Sequence, residues 1–192
     1  MDFAREAAEL LPYIQNHRRH IHQYPELSFR EKETTEYIQK ELESMGIEVI
    51  RFSDYYGLIG VLKGGRAGKT VLLRADIDAL GIREENELDF CSVHAGVMHA
   101  CGHDCHSAML LGAAKILSAY RDALKGTVKF LFQSAEESGH GANYYVDHGC
   151  LDGVDAAMAI HMMNEIPEGT FSIEAGPRMA SCTDFTLTVH GT

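Results

Sequence analysis

Apolar positions recur at helical spacing from the start of the chain. Phe3, Ala7, Leu10, Leu11, Ile14 and Ile21 share one face and predict a helix over residues 2–23, stopped by Pro25. Ser28 and Glu31 form a capping-box pattern ahead of a second helix lined by Thr34, Ile38, Leu42 and Met45 and ended by Gly46. The period then shortens. Residues 47–52, 57–63 and 69–75 predict strands, the last two joined by the turn-rich Gly64-Gly65-Arg66-Ala67-Gly68. Residues 79–100 have no clear period and predict a long loop. A helix over 105–121 is rich in small and apolar residues suited to packing on a sheet; a strand at 127–133, a helix at 141–149 and a strand at 155–161 follow. Val71–Leu73, Val128–Phe132 and Ala156–Ile160 are near-continuous apolar runs, the pattern of strands buried on both faces in a parallel sheet. Phe185, Leu187 and Val189 instead alternate with Thr186, Thr188 and His190, as in a half-buried strand. No partner for it follows before Thr192, so the expectation is a second sheet domain cut off there, or completion by another chain.

The length of 192 residues suits one sizeable core, or a domain and a piece of another. A formal net charge of −11 disfavours nucleic acid and anionic membrane as partners. Charges at Asp2, Arg5 and Glu6 stand where a signal peptide needs an apolar core, and no stretch has membrane-spanning length. The five cysteines are odd in number and scattered, which argues against a disulfide framework and for a cytoplasmic setting.

The predicted strands end on chemistry. The first apolar run leads to Asp76 and Asp78, the second to Glu136-Glu137, the third to His161, and His99-Ala100-Cys101-Gly102-His103-Asp104 lies between the first two. In open α/β sheets the working crevice lies beyond the carboxyl ends of the strands. A turn centred on Gly102 lets Cys101 and His103 face one ion, and thiolate with imidazole suits zinc and similar divalent metals. The plainer alternative is a buried cysteine beside a hydrogen-bonded histidine. Cys101 also precedes a helix start, whose dipole is expected to lower the thiol pKa. Adjacent Glu136 and Glu137 point in different directions, so one can ligate while the other acts as general base; alternatively they are a solvated helix start. His161 is a ligand or a satisfied strand end. Asp76 and Asp78 share a strand parity that turns both to the rim, where they orient a ligating histidine or form a turn. His20 and His22 are expected at the surface or behind the site, and His99 and His106 flank the ligand pair without an assigned role.

Arg19-His20-Ile21-His22-Gln23-Tyr24-Pro25-Glu26-Leu27-Ser28, Leu73-Arg74-Ala75-Asp76-Ile77-Asp78-Ala79-Leu80, His99-Ala100-Cys101-Gly102-His103-Asp104, Ala135-Glu136-Glu137 and Ile160-His161-Met162 occur in that order. Together they resemble the aminoacylase/hippurate-hydrolase branch of the M20 metallopeptidases. The resemblance implies an α/β three-layer catalytic domain, with a mixed, largely parallel sheet between helices, interrupted by a smaller α/β lid that dimerises. It implies hydrolysis of N-acyl amino acids at two divalent ions drawn from zinc, manganese, cobalt and nickel. By motif position Cys101 is the bridging ligand, His103, Glu137 and His161 are further ligands, Glu136 is the general base, and Asp78 with Asp76 is the acidic position behind the metals. The family usually has proline where this chain has Gly81, Ser134 and Asn164. It also continues through the lid and returns with another metal-binding histidine. The expected layout is therefore a catalytic part over 1–181 and a first lid strand over 182–192, with a homodimer in a full-length form. The expected activity is metal-dependent amide hydrolysis, with the chain as given incomplete and inactive. The alternatives are a fragment that only binds metal or a partner, and a hydrolase with Cys101 as nucleophile, which leaves Glu136, Glu137 and His161 without work.

Overall fold

The computed structural model describes residues 2–181, 183 and 185–191. The chain divides into two units, Met1–Met162 and Met163–Thr192. The first carries helices α1 (Phe3–Glu9), α2 (Leu11–Gln23), α3 (Lys32–Ser44), α4 (His103–Ala119) and α5 (Gly141–Asp147). Its strands are β1 (Glu48–Arg51), β2 (Leu58–Lys63), β3 (Arg66–Asp76), β4 (Lys125–Gln133) and β5 (Ala156–Ala159). They form one mixed sheet in the order β1-β2-β4-β3-β5. β3 runs parallel to both β4 and β5, while β2 pairs antiparallel with β1 and with β4.

Alternation on the central strands builds two cores. Leu58, Leu62, Ala75, Phe130 and Phe132 face one way, against Ile38 and Leu42 of α3 and Leu110, Leu111 and Ala114 of α4. Ile59, Leu72 and Leu131 face the other way, against Tyr145 of α5 and Cys150. The result is a three-layer α/β unit. Each fully buried Leu, Ile or Phe contributes about 1.5–3 kcal/mol of transfer free energy, so these faces fix which strand ends lie side by side. The small residues of α4 serve a neighbouring helix as well as the sheet. A Cβ on Gly112 would stand 2.8 Å from Ile14 of α2.

Several expectations change. The single helix over 2–23 is two, because Pro12 lies in the first turn of α2 and cannot donate the backbone bond that continuity requires. Ser28 and Glu31 do not form a capping box. The Glu26 carboxylate caps α3 by accepting from Thr34 N at 2.8 Å and Glu33 N at 3.2 Å. β5 is not buried on both faces: all its residues are exposed, Met158 at 57%. Among the described residues it has β3 on one side and no strand on the other.

In the second unit no described residue lies in a helix or strand. The alternation over 185–189 forms no strand, and Phe185, Leu187 and Val189 are more than four-fifths exposed (88%, 81% and 81%). An extended segment needs a neighbouring ladder to satisfy its backbone, and none of the described residues pairs with it. Residues 182, 184 and 192, within the expected lid strand, lie outside the described residues. No helix among the described residues is long and apolar enough to cross a membrane.

Candidate metal centre

His103 opens α4 immediately after Gly102, whose φ of +86° lies in the left-handed region. That turn points the ring into the sheet's end, where the side chain is fully buried. Nδ1 lies 2.8 Å from the Asp78 carbonyl oxygen and 3.2 Å from Asp78 Oδ1. Both are acceptors, so Nδ1 carries the proton and Nε2 presents its lone pair. Asp78 is itself held, accepting on Oδ2 from Ser28 Oγ at 2.7 Å and from Glu137 N at 2.9 Å.

Around His103 Nε2 stand Asp76 Oδ2 at 3.6 Å, Glu136 Oε2 at 3.7 Å and Glu137 Oε1 at 3.7 Å. Cys101 Sγ lies 3.5 Å from His161 Nε2. Three overlapping groups, each with ligand atoms within 4.8 Å of one another, share His103: Cys101 with His161, Glu136 with Glu137, and Asp76 with His106. These groups hold six of the seven residues expected at the site, and the seventh, Asp78, bonds His103 from behind. His103 Nε2 and Glu137 Oε1 are buried and lack hydrogen-bond partners among the described residues. Leaving such atoms unpaired costs about 1–3 kcal/mol each. A divalent cation would satisfy both, and a thiol, imidazoles and carboxylates are the donor set zinc-like ions favour. The residues present fit a metal.

The electrostatics are those of a thiol and carboxylates crowded together in a buried cluster. Burial, with Glu137 and Glu136 beside it, pushes the Cys101 thiol up to about 12. This corrects the expectation from the helix dipole, which burial and, after it, the neighbouring carboxylates override. Burial and the neighbouring Glu136 and Asp78 also raise the Glu137 carboxyl above its usual range, although His103 pulls the other way. For His103 burial opposes the charged ring, but Asp78, Asp76 and Glu137 outweigh it and raise the pKa.

Asp76 and Asp78 do not face an open rim; they are 0% and 1% exposed. Asp78 braces His103 from behind. Asp76 lies beside Arg74 Nη1 at 2.8 Å and accepts from His106 Nδ1. Burial opposes its charge, yet His106 and Arg74 hold the carboxyl well below the usual range.

Two helpers were hidden in the sequence. Glu31, fully buried, accepts from Ser134 Oγ at 2.7 Å and from Ala135 N at 2.8 Å. Ala135 has a φ of 58°, a strained conformation for a residue with a Cβ, and it immediately precedes Glu136. Glu31 thus clamps the turn that aims the acidic pair. Ser134, where the family resemblance expects proline, also donates its N–H to Tyr145 Oη at 2.9 Å, a bond proline cannot make. The other helper is His106, buried on the first turn of α4. Nothing local marks these roles, because the partners are remote in sequence.

A second polar cluster lies behind the centre. Asp104 Oδ2 accepts from Arg18 Nε and pairs with His22 Nδ1, both at 2.8 Å, and His22 Nε2 lies 2.9 Å from Glu84 Oε1. His22 is buried rather than at the surface, and it ties the long loop to α2. Burial holds His99 near a pKa of about 4, so its ring is neutral.

A model of the peptidase family M20/M25/M40 matches residues 72–191, more than half of the chain. The N-acetyl-L-cysteine deacetylase of Bacillus subtilis (strain 168) is 46% identical over 174 residues, 91% of this chain and 42% of that protein. The N-acyl-L-amino acid amidohydrolase of Geobacillus stearothermophilus is 43% identical over 175 residues, 91% of this chain and 47% of that protein. The solved YXEP protein of Bacillus subtilis, described as a dinuclear metal-binding peptidase of the M20 family, is similar with a TM-score of 0.83 and 44% identity, over 86% of this chain and 47% of that one. This chain spans about half the length of the curated relatives it matches.

Proposed function

This chain belongs to peptidase family M20/M25/M40, whose relatives here are hydrolytic enzymes, and we propose that it serves the metal-dependent hydrolysis of N-acyl amino acids to a carboxylate and an amino acid. The observation that carries the reading is the unpartnered His103 Nε2, facing Glu136, Glu137 and Asp76 with Cys101 and His161 alongside. Cys101, His103, Glu137 and His161 would hold the metal. Bound divalent ions supply Lewis acidity for the acyl carbonyl and for the attacking water.

The remaining chemistry falls to the chain's own residues. Glu136 is the more exposed of the acidic pair, 38% against 20% for Glu137. It takes the proton of the attacking water and returns it to the leaving nitrogen. Glu137 is held by its backbone bond to Asp78 and keeps to ligation. Asp78 keeps the His103 proton on Nδ1 and its lone pair on the metal side. The proposal extends to a cytoplasmic setting and to a homodimer in a full-length form.

The test compares a chain extended to the length of its relatives with the same chain carrying Glu136→Gln, on N-acetyl and N-benzoyl amino acids with zinc, manganese or cobalt. The variant is expected to keep its metal and lose activity by a factor on the order of 100 to 10,000. Loss of metal in Glu136→Gln, with retention in Glu137→Gln, would reverse the two roles. The 3.5 Å approach of Cys101 Sγ to His161 Nε2 favours a second reading, a thiol nucleophile with a histidine base. The thiol's pKa of about 12 works against it. Activity unchanged by chelator but abolished by a thiol reagent would select it.

A further inference from the structure

We propose that His106 is the positioning residue that sets His161, and that its influence on metal binding runs through the Met162 backbone. The inference rests on the reading of His161 as a metal ligand. His161 follows β5, an exposed strand that pairs with β3 only from Ala156 to Ala159. The strand alone holds its end loosely. What fixes the segment is a buried imidazole from another element. His106 Nε2 accepts from Met162 N–H at 2.8 Å, and its Nδ1–H donates to Asp76 Oδ1. With Nε2 accepting and Nδ1 donating, the ring has one tautomer and both nitrogens are engaged. The next bond continues the chain. His161 Nδ1 donates to the Met162 carbonyl at 2.6 Å, which leaves His161 Nε2 as the free lone pair beside Cys101 Sγ. The Met162 side chain also fits against the turn: a Cβ on Gly102 would stand 3.1 Å from Met162 Cβ. A carboxylate thus orients a histidine, which holds a peptide unit, which orients the ligand. Such outer partners commonly change metal affinity by about 10–100-fold when removed.

The two ring nitrogens have separate jobs, and substitution can separate them. In His106→Gln the amide oxygen reaches as Nε2 does and can still accept from Met162 N–H. In His106→Asn the amide nitrogen reaches as Nδ1 does, keeping the Asp76 bond and losing Met162. Zinc affinity is measured by competition with a chromophoric chelator for the wild-type chain, both variants, His161→Gln and the double variant His106→Asn/His161→Gln. The expected result is a drop of about tenfold or more for His106→Asn, within the range for outer partners, and a smaller drop, under about threefold, for His106→Gln. In the His161→Gln background, His106→Asn is expected to add no further loss, since its effect acts through His161. Equal losses in Asn and Gln variants, or a full additional loss in the double variant, would make His106 a general support of the fold and overturn the proposal. So would wild-type affinity in His106→Asn. Failure of the wild-type chain to bind zinc would instead remove the metal centre itself, and this inference with it.

Discussion

The two sides of the candidate centre are built to different standards. His103 sits fully buried where β3 and β4 run side by side from Thr70 to Asp76, with Asp78 behind its ring and Glu137 tied to the same aspartate. His161 follows an exposed edge strand and depends on the His106–Met162 bond. One ligand is over-determined by core packing and several hydrogen bonds; the other is held by the bonds that link it through Met162 to His106 and by an edge-on ring contact with His106, centroids 4.6 Å apart. A metal is therefore expected to bind a preformed pocket on the His103 side and to order the His161 side as it binds.

The largest break in that contrast is expected from Asp78→Ala. It removes the carboxylate acceptor of His103 Nδ1, leaving only the backbone carbonyl, and with it the partner of Ser28 and the anchor of Glu137 N. Zinc affinity should fall by about 10–100-fold, measured by chelator competition. A fall below about threefold would mean that the Asp78 carbonyl alone suffices.

A smaller effect is expected from Gly102→Ala, which forces a side chain into a φ of +86° and against Met162. The left-handed conformation alone costs about 1–2 kcal/mol. The loss should appear in zinc affinity as well as thermal stability, because the turn sits between Cys101 and His103. An unchanged melting temperature would show that the turn adapts.

The smallest effect concerns the clasp behind the centre. Hydrogen bonding to Asp104 is the main cause of the raised His22 pKa. Glu84 is opposed by burial but held down to about 2 by His22 and Ser92. A raised histidine pKa stabilises fully below its ordinary 6.5 and is lost as pH rises through the folded value. A lowered carboxylate pKa stabilises above its ordinary 4.5 and is lost as pH falls toward about 2. The melting-temperature gap between wild type and His22→Gln should therefore be widest between about pH 4.5 and 6.5, with each kcal/mol worth about 2–4 °C. A gap that widens from pH 7 to 9 would contradict the assignment.

The same division governs what the sequence disclosed. The ends of β3 and β4 were legible because strands packed on both faces leave continuous apolar runs, and the residues that break the runs carry the chemistry. β5 has the same kind of run, yet an apolar run cannot say whether a neighbour lies beyond it. Ser28 and Glu31 match a local capping pattern, but their actual partners are Asp78 and the Ser134–Ala135 turn, 50 and 103 residues away. The place of His106 beside the ligand pair is legible and its role is not, for the same reason, since Asp76 and Met162 reach it only through the fold. Local helix logic predicts a lowered Cys101 thiol pKa, whereas burial and carboxylates distant in sequence raise it in the structure.

The central claim is that Cys101, His103, Glu137 and His161 share one ion-binding volume. X-ray absorption at the zinc edge of the zinc-loaded chain tests it most directly. The account predicts a shell with sulfur at about 2.3 Å and nitrogen or oxygen at about 2.0–2.2 Å, the sulfur vanishing in Cys101→Ser and the imidazole scattering weakening in His103→Gln. A shell of nitrogen and oxygen alone in the wild-type chain, unchanged by Cys101→Ser, would contradict it.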